Sequence, residues 1–128
     1  MQEYTWEEFA QDSASLIEEI RLLVTVGKIN SIYGIPRGGL VLASRLAYGL
    51  DLPIVERGEI SPSTLIVDDI ARTGFTLTEF YARHYYTVTL FWCPTSAVKP
   101  NFWVRKIFDY IRFPWALEDK PGRTEKKH

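Results

Sequence analysis

Leu65-Ile66-Val67-Asp68-Asp69-Ile70-Ala71-Arg72-Thr73-Gly74-Phe75-Thr76-Leu77 is the stretch on which the fold turns. It begins inside Thr64-Leu65-Ile66-Val67, a continuous apolar run of strand length, the pattern of a parallel strand buried on both faces. The run ends in two adjacent acids, and a turn of small residues then opens a helix expected from about Thr76 to Arg83. Ligands of open α/β sheets bind beyond the carboxyl ends of strands. A turn into a helix N-terminus offers backbone N–H groups and a favourable dipole to an anion. Gly74 allows close backbone approach, and the Thr73 and Thr76 hydroxyls can donate to phosphate oxygens. Asp68 and Asp69 would repel a bare phosphate but accept hydrogen bonds from neutral sugar hydroxyls. The combination suits a ligand with a ribose between its phosphate and its reacting centre.

Working outward, strand and helix signals alternate. Thr5-Trp6-Glu7-Glu8 reads as a capping box, and Phe9, Leu16, Ile20, Leu23 and Val24 follow at helical spacing, so a helix is expected over 6–26 with Gly27 as its C-cap. Asn30 to Ile35 is a short β-prone run, Leu40 to Leu50 suits a helix, and Pro53 to Glu56 reads as another short strand. Arg57 to Ser63 is a polar connection, Tyr86 to Trp92 is strongly β, and Cys93 to Trp115 is aromatic and irregular. This order argues for an α/β domain with a mainly parallel sheet. One domain is expected over 1–117, with 118–128 a flexible tail in which Lys120, Arg123, Lys126 and Lys127 are solvated.

Two further segments bear on chemistry. In Gly34-Ile35-Pro36-Arg37-Gly38-Gly39-Leu40, the paired glycines remove side-chain bulk, and Arg37 can fork onto phosphate oxygens. In Tyr110-Ile111-Arg112-Phe113-Pro114-Trp115, an aromatic face can stack on a flat base and the backbone beside Ile111 can reach its edge. The same aromatics could serve only to close the core, and for Trp115 the core reading is preferred.

The Asp-Asp loop resembles the motif with which type I phosphoribosyltransferases bind phosphoribosyl pyrophosphate (PRPP): a hydrophobic run, two acids, and a loop ending in Thr-Gly-x-Thr. The resemblance covers the chain from about Ser31 to Trp115, and its C-terminal part is similar to the xanthine/guanine/hypoxanthine type. It implies a three-layer α/β domain with a small aromatic C-terminal hood. It also implies that Ala71, Arg72, Thr73, Gly74, Phe75 and Thr76 hold the 5′-phosphate while Asp68 and Asp69 take the ribose hydroxyls. Pro36, Arg37, Gly38 and Gly39 would hold the pyrophosphate, and the family's non-proline cis peptide would fall at Pro36–Arg37. Tyr110, Ile111 and Lys99 would meet the base, Asp69 would lie by a Mg²⁺ ion, and Arg37, Asp68 and Asp69 would form the catalytic set. The implied reaction is transfer of the phosphoribosyl group to a nitrogenous base of purine type, by a homodimer.

Three departures bear on that implication. Related 6-oxopurine enzymes carry an Asp where Arg72 stands, taken to manage the purine N7 proton; arginine stays protonated and cannot act as a base. Another group or water then takes that role, or the base reacts as an anion. Arg72 itself meets the base or faces water, and the solvated reading is preferred. Many members also have a long mobile loop where only Arg57 to Ser63 is available, which predicts a more open site. Third, Cys93 aligns with the lysine that reads the purine 6-oxo group, leaving Lys99 as the substitute. The first two departures also fit a second reading, a non-catalytic PRPP- or nucleotide-binding regulatory module. A Rossmann-type reading is disfavoured because neither a Gly-x-Gly-x-x-Gly fingerprint nor a Walker loop is present.

Composition narrows the classes. Fifteen basic side chains against sixteen acidic ones give a net charge of −1, without the basic excess on which nucleic-acid affinity rests, so no nucleic-acid partner is expected. The single cysteine, Cys93, permits no intrachain disulfide and fits a reducing cytosol as a small buried hydrophobe. With two histidines beside it there is no structural zinc pattern, and His84 reads as a surface or capping residue. The start of the chain lacks a signal peptide, and no apolar run approaches the roughly 20 residues that span a bilayer. A soluble, cytoplasmic protein is expected.

Overall fold

The computed structural model describes residues 1–72 and 75–116. Helix α1, Trp6–Thr25, starts where the capping box predicts: the Thr5 hydroxyl accepts the Glu8 amide and the Glu8 carboxylate accepts the Thr5 amide, both at 3.1 Å. It ends at Gly27, whose φ of +81° is the left-handed conformation a side chain would disfavour.

Strand β2, Ser31–Gly34, pairs in parallel with β3, Thr64–Val67, in the register Ser31↔Thr64 to Gly34↔Val67. On its far edge β3 pairs in parallel with β5, Thr87–Val88. Beyond the two acids, β4 (Ile70–Ala71) pairs in parallel with β6 (Phe91–Trp92), and β6 pairs with β7 (Arg105–Lys106). The two ladders are successive halves of one parallel array, broken at the same level. The Asp69 carbonyl accepts both the Leu90 and Phe91 amides, at 3.1 and 3.2 Å, so two residues of one strand oppose one of the next. That doubling splits the continuous strand expected over 86–92.

The expected strand at Pro53–Glu56 shrinks to one parallel bridge, Ile32↔Ile54, with the Val55 amide bonded to the Ile32 carbonyl at 2.8 Å. Pro53 has no N–H to donate, which suits a sheet edge and not a long pairing.

Strand alternation sends side chains to two cores. Ile32, Leu65 and Val67 face α1 and α2 (Gly39–Leu50), packing with Leu16, Ile20, Leu42 and Leu46. Tyr33 and Ile66 face the opposite side with Leu77 and Phe80 of α3 (Phe75–Ala82). Helices thus cover both faces of the sheet, the three-layer arrangement expected. Leu65, Ile66 and Val67 are wholly buried, and each such side chain contributes roughly 1.5–3 kcal/mol relative to exposure.

The hood has a component that the sequence did not announce. Strand β1, Gln2–Glu3, pairs in parallel with β8, Ile111–Arg112, so both ends of the described chain build it. Tyr4 meets Phe91 and Phe113 edge-on at 4.8 and 5.9 Å, and Trp115 stacks on Phe113 at 4.9 Å, as the core reading of Trp115 requires. Tyr4 also donates to Asp12 at 2.6 Å, and Arg105 donates to the same carboxylate at 2.7 Å while pairing with Glu8 at 3.3 Å. This network fastens hood, α1 and β7 together and accounts for a carboxylate on the apolar face of α1.

Candidate active site

The two predicted loops meet at the carboxyl end of β3. The Ile35 amide bonds to the Val67 carbonyl at 2.8 Å, and the Gly39 amide returns to the Ile35 carbonyl at 2.9 Å, curling residues 35–39 onto the strand end. Gly39 is pressed so closely there that a Cβ would collide with the Val67 carbonyl oxygen and lie 3.1 Å from the Asp68 Cα. Only glycine allows this approach. The Pro36–Arg37 peptide is cis, at the position the resemblance implied. Gly38 and Gly39 are buried, whereas Pro36 and Arg37 are exposed, leaving the Arg37 guanidinium at the surface of the loop.

Asp68 and Asp69 occupy the break between β3 and β4 and are buried, with 0% and 2% exposure. The Asp68 carboxylate accepts the Asp69 amide at 2.8 Å, which fixes its rotamer. The strand resumes at Ile70–Ala71, so the acids sit on backbone that is paired on both sides. Of the predicted phosphate loop, Ala71 is buried in β4 and Arg72 follows it. Phe75 and Thr76 open α3, and Thr73 and Gly74 lie outside the described residues, as does the expected tail over 118–128.

The hood faces this loop through Arg72. Its guanidinium donates to the Asp109 carbonyl at 2.8 Å and lies over the Tyr110 ring, 4.5 Å from the centroid. The preferred sequence reading, a side chain directed only to water, is corrected: a planar cation finds both a carbonyl and an aromatic face within reach. The Asp109 carboxyl is held below its usual range by the Met1 amino group at 3.0 Å and then by the Tyr110 amide. Tyr110 remains 43% exposed and Ile111 is buried. The β1 ladder uses the Tyr110 and Arg112 carbonyls, at 2.8 and 3.0 Å. In an extended strand that turns the Ile111 amide and carbonyl to the opposite edge.

No family model matches this sequence, and no curated protein does. Solved structures do match. The purine phosphoribosyltransferase of Pyrococcus horikoshii Ot3 superposes with a TM-score of 0.76 at 26% identity, over 89% of this chain and 92% of that one. The xanthine-guanine-hypoxanthine phosphoribosyltransferase of Helicobacter pylori gives 0.75 at 19% identity, over 99% of each chain. A Neisseria gonorrhoeae protein solved with bound ppGpp gives 0.66 at 21% identity, over 92% and 91%. The chain has the type I phosphoribosyltransferase fold.

On that fold the remaining predicted residues divide. Arg37, Asp68, Asp69, Ala71 and Arg72 converge on one strand end, with Tyr110 joined to them through Arg72. Lys99 stands apart, its ammonium 4.8 Å over the Trp92 ring and 5.5 Å over Trp103, where Lys106 also lies at 5.8 and 6.0 Å. The contacts of Lys99 are with that aromatic pair. Cys93 is buried, with its sulfur 3.1 Å from the Thr95 hydroxyl. The short connection after Glu56 forms a 3-10 turn at Arg57–Glu59, and Arg57 pairs with Glu79 of α3 and lies over Phe80. His84 is exposed with φ +65°, a capping conformation after α3. No helix of the described residues is long and apolar enough to cross a membrane.

The donor set bears on magnesium. Among the described residues no three carboxylate, histidine or cysteine side chains converge as a metal cage. Mg²⁺ ordinarily keeps several waters and is held by one or two carboxylates plus substrate phosphates. The paired acids at the end of β3, with residues 36–39 against them, fit that mode, in which the substrate would bring most of the ligands.

Proposed function

We propose that this protein transfers the phosphoribosyl group of PRPP to a nitrogenous base of the purine class, releasing pyrophosphate and forming a nucleoside 5′-monophosphate. The observation that carries the reading is the contact of Gly39 with Val67 and Asp68. In this reading it sets a loop suited to a diphosphate directly against acids suited to a ribose. The two purine phosphoribosyltransferases that share the fold over nearly their whole length support it.

In this reading Asp68 and Asp69 hold the ribose hydroxyls, and their charge favours the positive character that grows at C1 as the bond to pyrophosphate loosens. The Arg37 side chain and the backbone amides of Arg37 and Gly38 receive the departing diphosphate, and Tyr110 with the outer edge of Ile111 orients the base. Little covalent chemistry is asked of the protein; the work is positioning and electrostatic stabilisation. Asp69 would help hold Mg²⁺, which when bound would neutralise diphosphate charge.

The test is incubation with PRPP, Mg²⁺ and a panel of free bases, following pyrophosphate release and nucleotide formation together. Turnover with a purine is expected. Saturable PRPP binding without turnover on any base would favour a regulatory binding module instead. In parallel, PRPP should raise the thermal midpoint of the wild type but not of the Asp68→Asn, Asp69→Asn double variant. Equal stabilisation of both would remove the acids from the site.

A further inference from the structure

We infer that Arg72 sets the charge of the base this site accepts: a cation held on Tyr110 selects a base that enters as an anion over one that stays neutral. The inference rests on the transferase reading and names its substrate class more closely.

Three observations place a usable positive charge between the ribose acids and the hood. Arg72 follows the two acids directly after β4, and its guanidinium reaches across to Asp109 and Tyr110 of the hood segment. Its protein partners are a carbonyl oxygen and a ring face, neither of which cancels a full charge. The Asp109 carboxylate acts on Arg72 only through space and weakly, since its direct contacts are with the Met1 amino group and the Tyr110 amide. Among the described residues no ion pair within 4.0 Å joins Arg72 to a carboxylate.

A guanidinium has five N–H donors, no acceptor, and a charge that persists across the working pH range. One donor serves Asp109 and the ring contact fixes the plane, so the remaining donors can turn to a ligand. They can only meet acceptors. A base that has already lost its ring proton to water therefore needs no residue here to take it. Its nitrogen forms the bond to C1, the C1–O bond breaks, and the electron pair leaves with pyrophosphate. Arg72 acts on such a base by stabilising its negative charge.

The experiment uses the full chain and two product nucleotides, which bind without turnover when pyrophosphate is absent. Xanthosine 5′-monophosphate carries a base that ionises near neutrality, whereas inosine 5′-monophosphate carries one that stays neutral. Calorimetry on the wild type, Arg72→Gln and Arg72→Lys reads both affinities. The wild type should prefer the acidic nucleotide. Arg72→Gln, which keeps a planar donor without the charge, should lose that preference by ~10- to 150-fold, the size of one charge-assisted hydrogen bond. Its affinity for the neutral nucleotide should fall by a smaller factor than that for the acidic one, and Arg72→Lys should retain the preference.

An equal loss for both nucleotides would show that Arg72 only latches the hood, and would overturn the inference. So would a wild type with no preference, a result that needs no variant to fold. The transferase reading fails separately: the expected split in binding, with no pyrophosphate released from PRPP with any base of the panel, would sink that reading and leave Arg72 its role. A wild type that binds neither nucleotide would sink both.

Discussion

Gly39→Ala is the sharpest perturbation of the site, because the clash it creates is with backbone alone. The added methyl would strike the Val67 carbonyl oxygen and lie 3.1 Å from both the Val67 carbonyl carbon and the Asp68 Cα. No rotamer relieves this, so residues 36–39 must lift off the end of β3. Overpacking of this kind costs about 1–3 kcal/mol, which at this chain length lowers the thermal midpoint by roughly 3 to 18 °C. The diagnostic quantity is the ligand-induced shift. At a PRPP concentration about 100 times the wild-type Kd, binding stabilises by about 2.7 kcal/mol. If the lifted loop weakens PRPP about tenfold, the gain at that concentration falls to about 1.4 kcal/mol, roughly half. Two controls isolate the cause. Gly49→Ala crowds the Ile17 side chain where α2 packs on α1, away from the loop junction, and should lower the midpoint without altering the ligand shift. Gly58→Ala, with nothing within 4 Å, should stay within about 0.5 kcal/mol of wild type. A Gly39→Ala protein that keeps the full ligand shift would refute the claim that the two loops grip one molecule.

Other outcomes follow from the hood and its anchor. Asp12→Ala strips Tyr4 and Arg105 of a shared partner; the cost should be about 3 kcal/mol by urea denaturation, the low end for a broken buried pair because Arg105 is a third exposed and keeps Glu8. Replacing Asp12 and Arg105 together with apolar residues should cost less than Asp12→Ala alone, since no charge is then left stranded. Burial first, and then the bond to Asp12, push the Tyr4 hydroxyl far above its ordinary value. The folded state therefore keeps a proton that the unfolded state gives up near pH ~10, so stability should be unaffected by Tyr4 below that pH and fall as pH rises above it. Tyr4→Phe should flatten that fall. Arg57→Ala breaks an exposed pair with Glu79 and should shift stability by no more than about 1 kcal/mol.

The parts of this molecule legible in its sequence are those fixed by neighbours in the chain. A strand buried on both faces must be apolar at every position, and a helix start must satisfy its own amides, so Thr64–Val67 and the Thr5–Glu8 box could be read directly. Two glycines before a helix and two acids after a strand were likewise local facts, and the sheet brought both to one edge. What escaped depends on distant partners. Asp12 looks misplaced on the apolar face of α1 until Arg105, 93 residues on, is packed beside it. Strand β1 has two residues and no periodicity, and only pairing with Ile111–Arg112 makes it a strand. Arg72 belongs to this class. A charged side chain after a strand end defaults to water unless something competes for it, and its competitors, the Asp109 carbonyl and the Tyr110 ring, come from a segment whose position only the closed fold defines. The local motif thus specifies where a phosphorylated sugar would sit, whereas long-range packing decides what charge faces the partner with which that sugar would react.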